Sequence, residues 1–159
     1  MSLRHPKGNR QRSSCEKGNT MRNVTKAELD GAIRAASAGD TLHRPMHYSG
    51  NLDLRYRADI THLPEGLSVG SNLDLTGCTS LTHLPDGLSV GSDLYLWGCR
   101  SLTHLPESLS VGGSLYLTDC TGLTHLPENL SVGGILSLCG CTGLTKEKVP
   151  AHLRSKVVR

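Results

Sequence analysis

The sequence predicts a solenoid of the α/β class: about five stacked turns, each bearing a short strand, behind a single N-terminal helix. Three observations carry this. Self-comparison of the 159 residues gives a period of 21 that runs without gaps through the middle of the chain. Within each period a short segment alternates apolar and polar residues, the pattern of a half-buried strand. The chain also has no Phe and a single Trp, so its core must come from Leu, Val, Ile and small residues returning at fixed places.

The register is strict. His62, His83, His104 and His125 fall in one column, Pro64, Pro85, Pro106 and Pro127 in another, and Cys78, Cys99, Cys120 and Cys141 in a third. The unit reads LTxLPxxLxVGxxLxLxxCxx. Backward it persists more faintly, because Leu42, Met46, Tyr48, Leu52 and Leu54 precede Leu63, Leu67, Val69, Leu73 and Leu75 by one period. Forward, after a two-residue insertion, VPAHL at Val149 to Leu153 echoes LPENL at Leu126 to Leu130.

In the segment GSDLYLWGC, Leu94 and Leu96 point one way while Asp93, Tyr95 and Trp97 point the other. Glycines on either side mark tight bends. In L-P-x-x-L the residue before proline is held extended, so a compact turn or one turn of helix is expected there. A single repeat cannot bury its own apolar face, and stacked neighbours must supply the missing contacts.

LYLWGCRSLTHLP, Leu94 to Pro106, with its LxLxxCxxL signature, resembles a leucine-rich repeat of the cysteine-containing kind. Its LPxxL element is similar to the short bacterial repeats of effector proteins from plant and animal pathogens. The resemblance spans roughly Leu42 to Leu153. It implies a right-handed coil with a parallel concave sheet of about five short strands, short turns or helical turns on the convex side, and partner proteins held on the concave side. It also implies a second reading: the substrate-recognition part of a bacterial type III effector, secreted without a cleavable signal peptide, of E3 ubiquitin-ligase type with its catalytic domain missing. Ligase effectors append such a domain, and the 17 residues from Gly143 onward are too few for one.

Upstream, VTKAELDGAIRAASAGD predicts one helix. Thr25 and Glu28 form a T-x-x-E capping box, Val24 and Leu29 supply a hydrophobic staple, and Gly39 offers a stop. Leu29, Ile33, Ala32 and Ala36 give it a modest apolar face. It is read as a cap over the first coil, since a bare solenoid end would expose leucines; an independent docking helix is the alternative. The expected division is a disordered basic tail over 1–23, the capping helix over 24–40, the repeat domain over 41–145, and a degenerate C-terminal cap with a basic tail over 146–159.

Charge is distributed unevenly. Residues 1–60 hold 11 Lys and Arg against 6 acids, residues 61–142 hold Arg100 against 7 acids, and residues 143–159 hold 5 bases against Glu147. The acidic middle argues against a nucleic-acid binder, although binding through the basic ends would announce itself by steep salt dependence. No apolar run approaches the ~20 residues of a membrane span, and the first twenty residues lack the apolar segment of a secretory signal. The expected location is cytoplasmic. Nothing signals an oxidising compartment, so the six Cys are expected to be reduced.

Recurrence argues against catalysis. A catalytic constellation needs different groups converging once, whereas stacking at about 4.8 Å turns every recurring residue into a ladder. The Cys column is expected to face inward and serve the backbone of the bend, against the alternative of a zinc or disulfide ladder. Cys139, by parity on the outward strand face, and Cys15 in the tail are the candidates for reactivity. The His column is expected to face solvent and to resist full protonation, with the acids Glu65, Asp86, Glu107 and Glu128 opposing that effect; metal binding between two rings is the alternative. No catalytic residue, metal ligand or cofactor is assigned.

The variable letters carry more information. Outward strand positions form three columns: Asn51, Asn72, Asp93, Ser114 and Ile135; Asp53, Asp74, Tyr95, Tyr116 and Ser137; Arg55, Thr76, Trp97, Thr118 and Cys139. Tyr95, Trp97 and Tyr116, three of five aromatics, become neighbours beside Asp53, Arg55, Asp74 and Asp93. Aromatic anchors within a polar rim are what protein interfaces favour, although Tyr and Trp also simply suit exposed strands. The expected function is non-enzymatic: binding of a protein or peptide of basic character on the concave face.

Overall fold

The computed structural model describes residues 21–40 and 45–159, so the tail up to residue 20, Cys15 and Leu42 lie outside the described residues. In chain order the elements are β1 (Arg22–Asn23), α1 (Lys26–Ser37), β2 (Met46–Tyr48), β3 (Leu52–Asp53), β4 (Leu67–Val69), β5 (Leu73–Asp74), β6 (Ser89–Val90) and β7 (Leu94–Tyr95). There follow β8 (Ser110–Val111), β9 (Leu115–Tyr116), β10 (Ser131–Val132), β11 (Leu136–Ser137), two 3-10 helices at Lys146–Lys148 and Ala151–Lys156, and β12 (Val157–Val158).

These strands stack into two parallel sheets of six, in the orders β1-β2-β4-β6-β8-β10 and β3-β5-β7-β9-β11-β12. The expectation of one sheet of about five strands is thereby corrected. Every turn contributes twice: L-x-V enters the first sheet, and L-x-L enters the second after a bend at the intervening glycine. The sequence period sets the pairing register, with Leu73 opposite Leu94 and Leu94 opposite Leu115. The first sheet escaped the sequence reading because half of its strands are S-V pairs of two residues, too short to show alternation. Their pairing comes from stacking, with Ser89 opposite Ser110 and Val90 opposite Val111. The L-P-x-x-L element does form a compact turn, closed by the Leu88 N–H donating to the Pro85 carbonyl at 3.3 Å and by the Leu109 N–H donating to that of Pro106 at 3.1 Å.

One unbroken apolar core runs from Leu29 to Leu153, and no polar or charged residue is buried among the described residues. Within it Leu54, Leu75, Leu96, Leu117 and Leu138 form one leucine column, each at most 3% exposed. Two glycine columns shape the turns, one by close approach and one by backbone conformation. At the bend between the sheets, Gly70, Gly91, Gly112 and Gly133 stack backbone on backbone: a Cβ on Gly112 would lie 2.3 Å from the Gly91 carbonyl oxygen. After L-x-L the chain turns through positive φ, at Gly77 (73°), Gly98 (69°) and Gly140 (71°), and the same conformation is forced on Tyr56 (58°) and Asp119 (58°).

The helix forms as its sequence dictates. The Glu28 N–H donates to Thr25 Oγ1 at 3.3 Å, and the Thr25 N–H donates to Glu28 Oε2 at 2.9 Å, satisfying two otherwise orphaned donors. Leu29 and Ile33 are fully buried in the common core. Arg57 reaches Asp30 at 3.4 Å, and the Ser37 hydroxyl donates to the His62 carbonyl at 3.3 Å, tying the helix to the first full turn. Arg22 and Asn23, expected within the tail, pair with Met46 and His47.

At the other end the two-residue insertion is absorbed before Val157, which returns to register opposite Leu136. Among the described residues no strand follows β10 in the first sheet. The positions where one would offer N–H groups are filled by side chains: His152 Nε2 donates to the Leu130 carbonyl at 3.0 Å, and Lys156 Nζ donates to that of Val132. No described helix is long and apolar enough to cross a membrane.

Candidate protein-binding face

The outward surface of the second sheet brings together the side chains singled out by parity. Tyr95 and Tyr116, register partners on β7 and β9, stack with ring centroids 4.9 Å apart and parallel planes. Trp97 stands edge-on to both, at 6.3 and 6.1 Å and 82°. It is 45% exposed, among the most exposed large apolar side chains described. Such stacked and T-shaped contacts restrict aromatic side chains to few rotamers, so the patch presents a stiff apolar surface with little entropy left to lose on binding.

One and two turns earlier the same columns hold charge. Arg55 lies along the Asp53 carboxylate in a two-pronged pair, Nε to Oδ1 at 3.0 Å and Nη2 to Oδ2 at 2.8 Å, and its Nε stands 3.8 Å from Asp74 Oδ2. The Arg55 hydrogen bonds hold Asp53 below the usual carboxylate range and raise Arg55 in turn. Asp53, Asp74 and Tyr95, with Asn51, Leu52, Arg55 and Asn72, line an open hollow of about 260 Å³.

Asp93 differs from the other acids. Its Oδ1 accepts the Ser114 N–H at 2.7 Å and its Oδ2 accepts the Tyr95 hydroxyl at 3.3 Å. Burial, followed by the Asp93 charge, raises the Tyr95 phenol, which stays a donor. Asp93 thus belongs to a ladder that sequence parity did not reveal. Asn51 Oδ1 accepts the Asn72 N–H at 3.1 Å, Asn72 Oδ1 accepts the Asp93 N–H at 3.0 Å, and Ser114 Oγ accepts the Ile135 N–H at 3.1 Å. The signal was present in the column itself: four side chains bearing an acceptor oxygen, then Ile135.

The Cys column is inward as expected. Each Sγ donates to a carbonyl of the preceding turn: Cys78 to Leu54, Cys99 to Leu75, Cys120 to Leu96 and Cys141 to Leu117, at 2.8–3.2 Å. Burial pushes the Cys99 thiol up to about 12 and raises the others too, so these groups remain S–H donors and poor nucleophiles. Cys139 is half-buried on the outward face. All described cysteines are free thiols. Among the described residues no set of three or more His, Cys, Asp or Glu is placed to hold a metal ion.

The His column is a partial ladder. The rings of His62 and His83 meet edge-on at 4.3 Å and those of His83 and His104 stack at 6.0 Å, with each Nδ1 hydrogen-bonded to the preceding threonine hydroxyl. Burial, then the neighbouring His62 and His104 charges, lowers the His83 pKa against the opposing pull of Glu65 and Asp86. The unfolded chain therefore takes up this proton first. Stability is expected to fall as pH drops below about 6.5 and to level off below the folded value. Urea midpoints at pH 7.5 and 5.5 should separate more for the parent than for His83→Gln, and equal separations would refute this.

No protein-family model, curated protein or solved structure matches the chain.

Proposed function

We propose that the chain is a non-enzymatic interaction module of leucine-rich-repeat type, wound right-handed, with α1 covering its first coil. It binds a protein or peptide on the outward face of its second sheet, which we take as the concave side. The observation that supports this reading is the aromatic cluster. Tyr95, Trp97 and Tyr116 pack against one another on a scaffold whose Cys column and Asn51, Asn72, Asp93, Ser114 column are committed to ladders, and the acids beside them suit a basic partner. Removal of all three aromatics is expected to leave the core intact, because their side chains lie outside it, while binding falls at least about 100-fold on the usual weight of aromatic anchors. Affinity capture with the parent and with Tyr95→Ala/Trp97→Ala/Tyr116→Ala tests this beside circular dichroism of both. A partner retained equally by the folded triple variant defeats the proposal.

A further inference from the structure

We propose, resting on that interface, that the ligand residue this face selects is an arginine of the partner, its guanidinium seated on Asp74 in the hollow walled by Tyr95. The molecule already holds one guanidinium in this way. Arg55 folds back across two residues onto Asp53, with two parallel hydrogen bonds at 3.0 and 2.8 Å. One turn later the acid repeats as Asp74, but the arginine does not: its place is taken by Thr76. Asp74 Oδ1 accepts the Thr76 N–H at 3.0 Å, whereas Oδ2 has only Arg55 Nε at 3.8 Å, beyond hydrogen-bonding distance.

The other acids of the patch are occupied. Both oxygens of Asp53 are taken by Arg55, and both oxygens of Asp93 by the Ser114 N–H and the Tyr95 hydroxyl. Asp74 is therefore the carboxylate with acceptor capacity to spare. Its register partner on the next strand is Tyr95. A guanidinium paired with Asp74 thus lies beside an aromatic ring already stacked on Tyr116, combining a charge-assisted pair with a cation–π contact. Lysine, a compact ammonium without a planar fork, fits the arrangement less well.

The single tryptophan, Trp97, packs against Tyr95 and reports on the site directly. The probe is acetyl-Gly-Ser-Arg-Gly-Leu-Arg-Gly-Ser-amide, titrated against the full chain by tryptophan fluorescence beside the same peptide with citrulline or lysine in place of arginine. Arginine is expected to bind about tenfold more tightly than citrulline, on the worth of one charge-assisted pair, and more tightly than lysine. Asp74→Asn keeps the Thr76 N–H bond and removes the charge; Thr76→Arg repeats the Arg55 geometry and fills the seat from within. Both variants should erase the preference for arginine with unchanged circular dichroism. Equal binding of the arginine and citrulline peptides, no response to millimolar arginine peptide, or a preference that survives in Thr76→Arg each overturns the proposal. Capture that depends on the three aromatics while the peptides bind alike would remove the arginine and leave the interface. An arginine preference lost in Asp74→Asn while triple-alanine capture is unchanged would do the reverse.

Discussion

Replacing Gly112 by alanine is expected to destabilise the fold by about 3 kcal/mol or more, although only one methyl group is added. The added Cβ would stand 2.3 Å from the Gly91 carbonyl oxygen and 3.0 Å from its carbon, and neither is the movable end of a side chain. Relief requires the two turns to separate. Separation lengthens the 2.8 Å bond from the Gly112 N–H to the Val90 carbonyl and disturbs the neighbouring leucine contacts of the same coil. Gly98→Ala is the informative comparison. Gly98 has φ of 69° and nothing within 4 Å of its would-be Cβ, so only the left-handed backbone is penalised, at about 1 kcal/mol. Urea denaturation of both variants checks the order; a larger loss for Gly98→Ala would show that backbone strain, and not stacking distance, makes these glycines necessary.

Leu96→Ala is expected to cost about 2–5 kcal/mol, a large part of the roughly 5–15 kcal/mol typical of a domain. Leu96 is fully buried in the middle of its column, between Leu75 and Leu117. The void cannot close by collapse, because the backbone spacing on both sides is set by strand pairing. Ladder bonds of the Leu96 carbonyl, which accepts both the Cys99 N–H at 3.2 Å and the Cys120 thiol at 3.0 Å, also hold the surrounding chain in place. Leu138, in the last turn that carries this column, has a leucine neighbour on one side, and Leu138→Ala should cost less. Equal urea midpoints for the two variants would show that the end turn is packed as tightly as the middle.

What could be read in the sequence was whatever recurs or alternates over several residues. The 21-residue period located L-x-L, and parity correctly placed Tyr95, Trp97 and Tyr116 on one surface, where the rings do touch. The capping box of Thr25 and Glu28 is likewise local chemistry, legible from two letters three residues apart. The first sheet was hidden because Ser89–Val90 has no strand character until Ser110–Val111 lies beside it. Parity puts Asp93 on the outward face because it reports which way a side chain leaves the backbone, but it does not report that the carboxylate is taken by an N–H of the following turn. The letters show Thr76 where the preceding turn has Arg55, but that an oxygen of Asp74 is left to spare is a property of distances.

The last described coil covers part of the turn before it with side chains in place of a strand. A parallel strand that ends without a successor presents acceptors ready to template the next chain, and a molecule built wholly of repeats would offer its neighbours a matching surface. Here His152 and Lys156 reach into the acceptors of Leu130 and Val132, so the end of that sheet meets another copy with positive charge and no free carbonyl at those two sites. The basic letters of the final segment thereby occupy, on that sheet, acceptors that an added parallel strand would use.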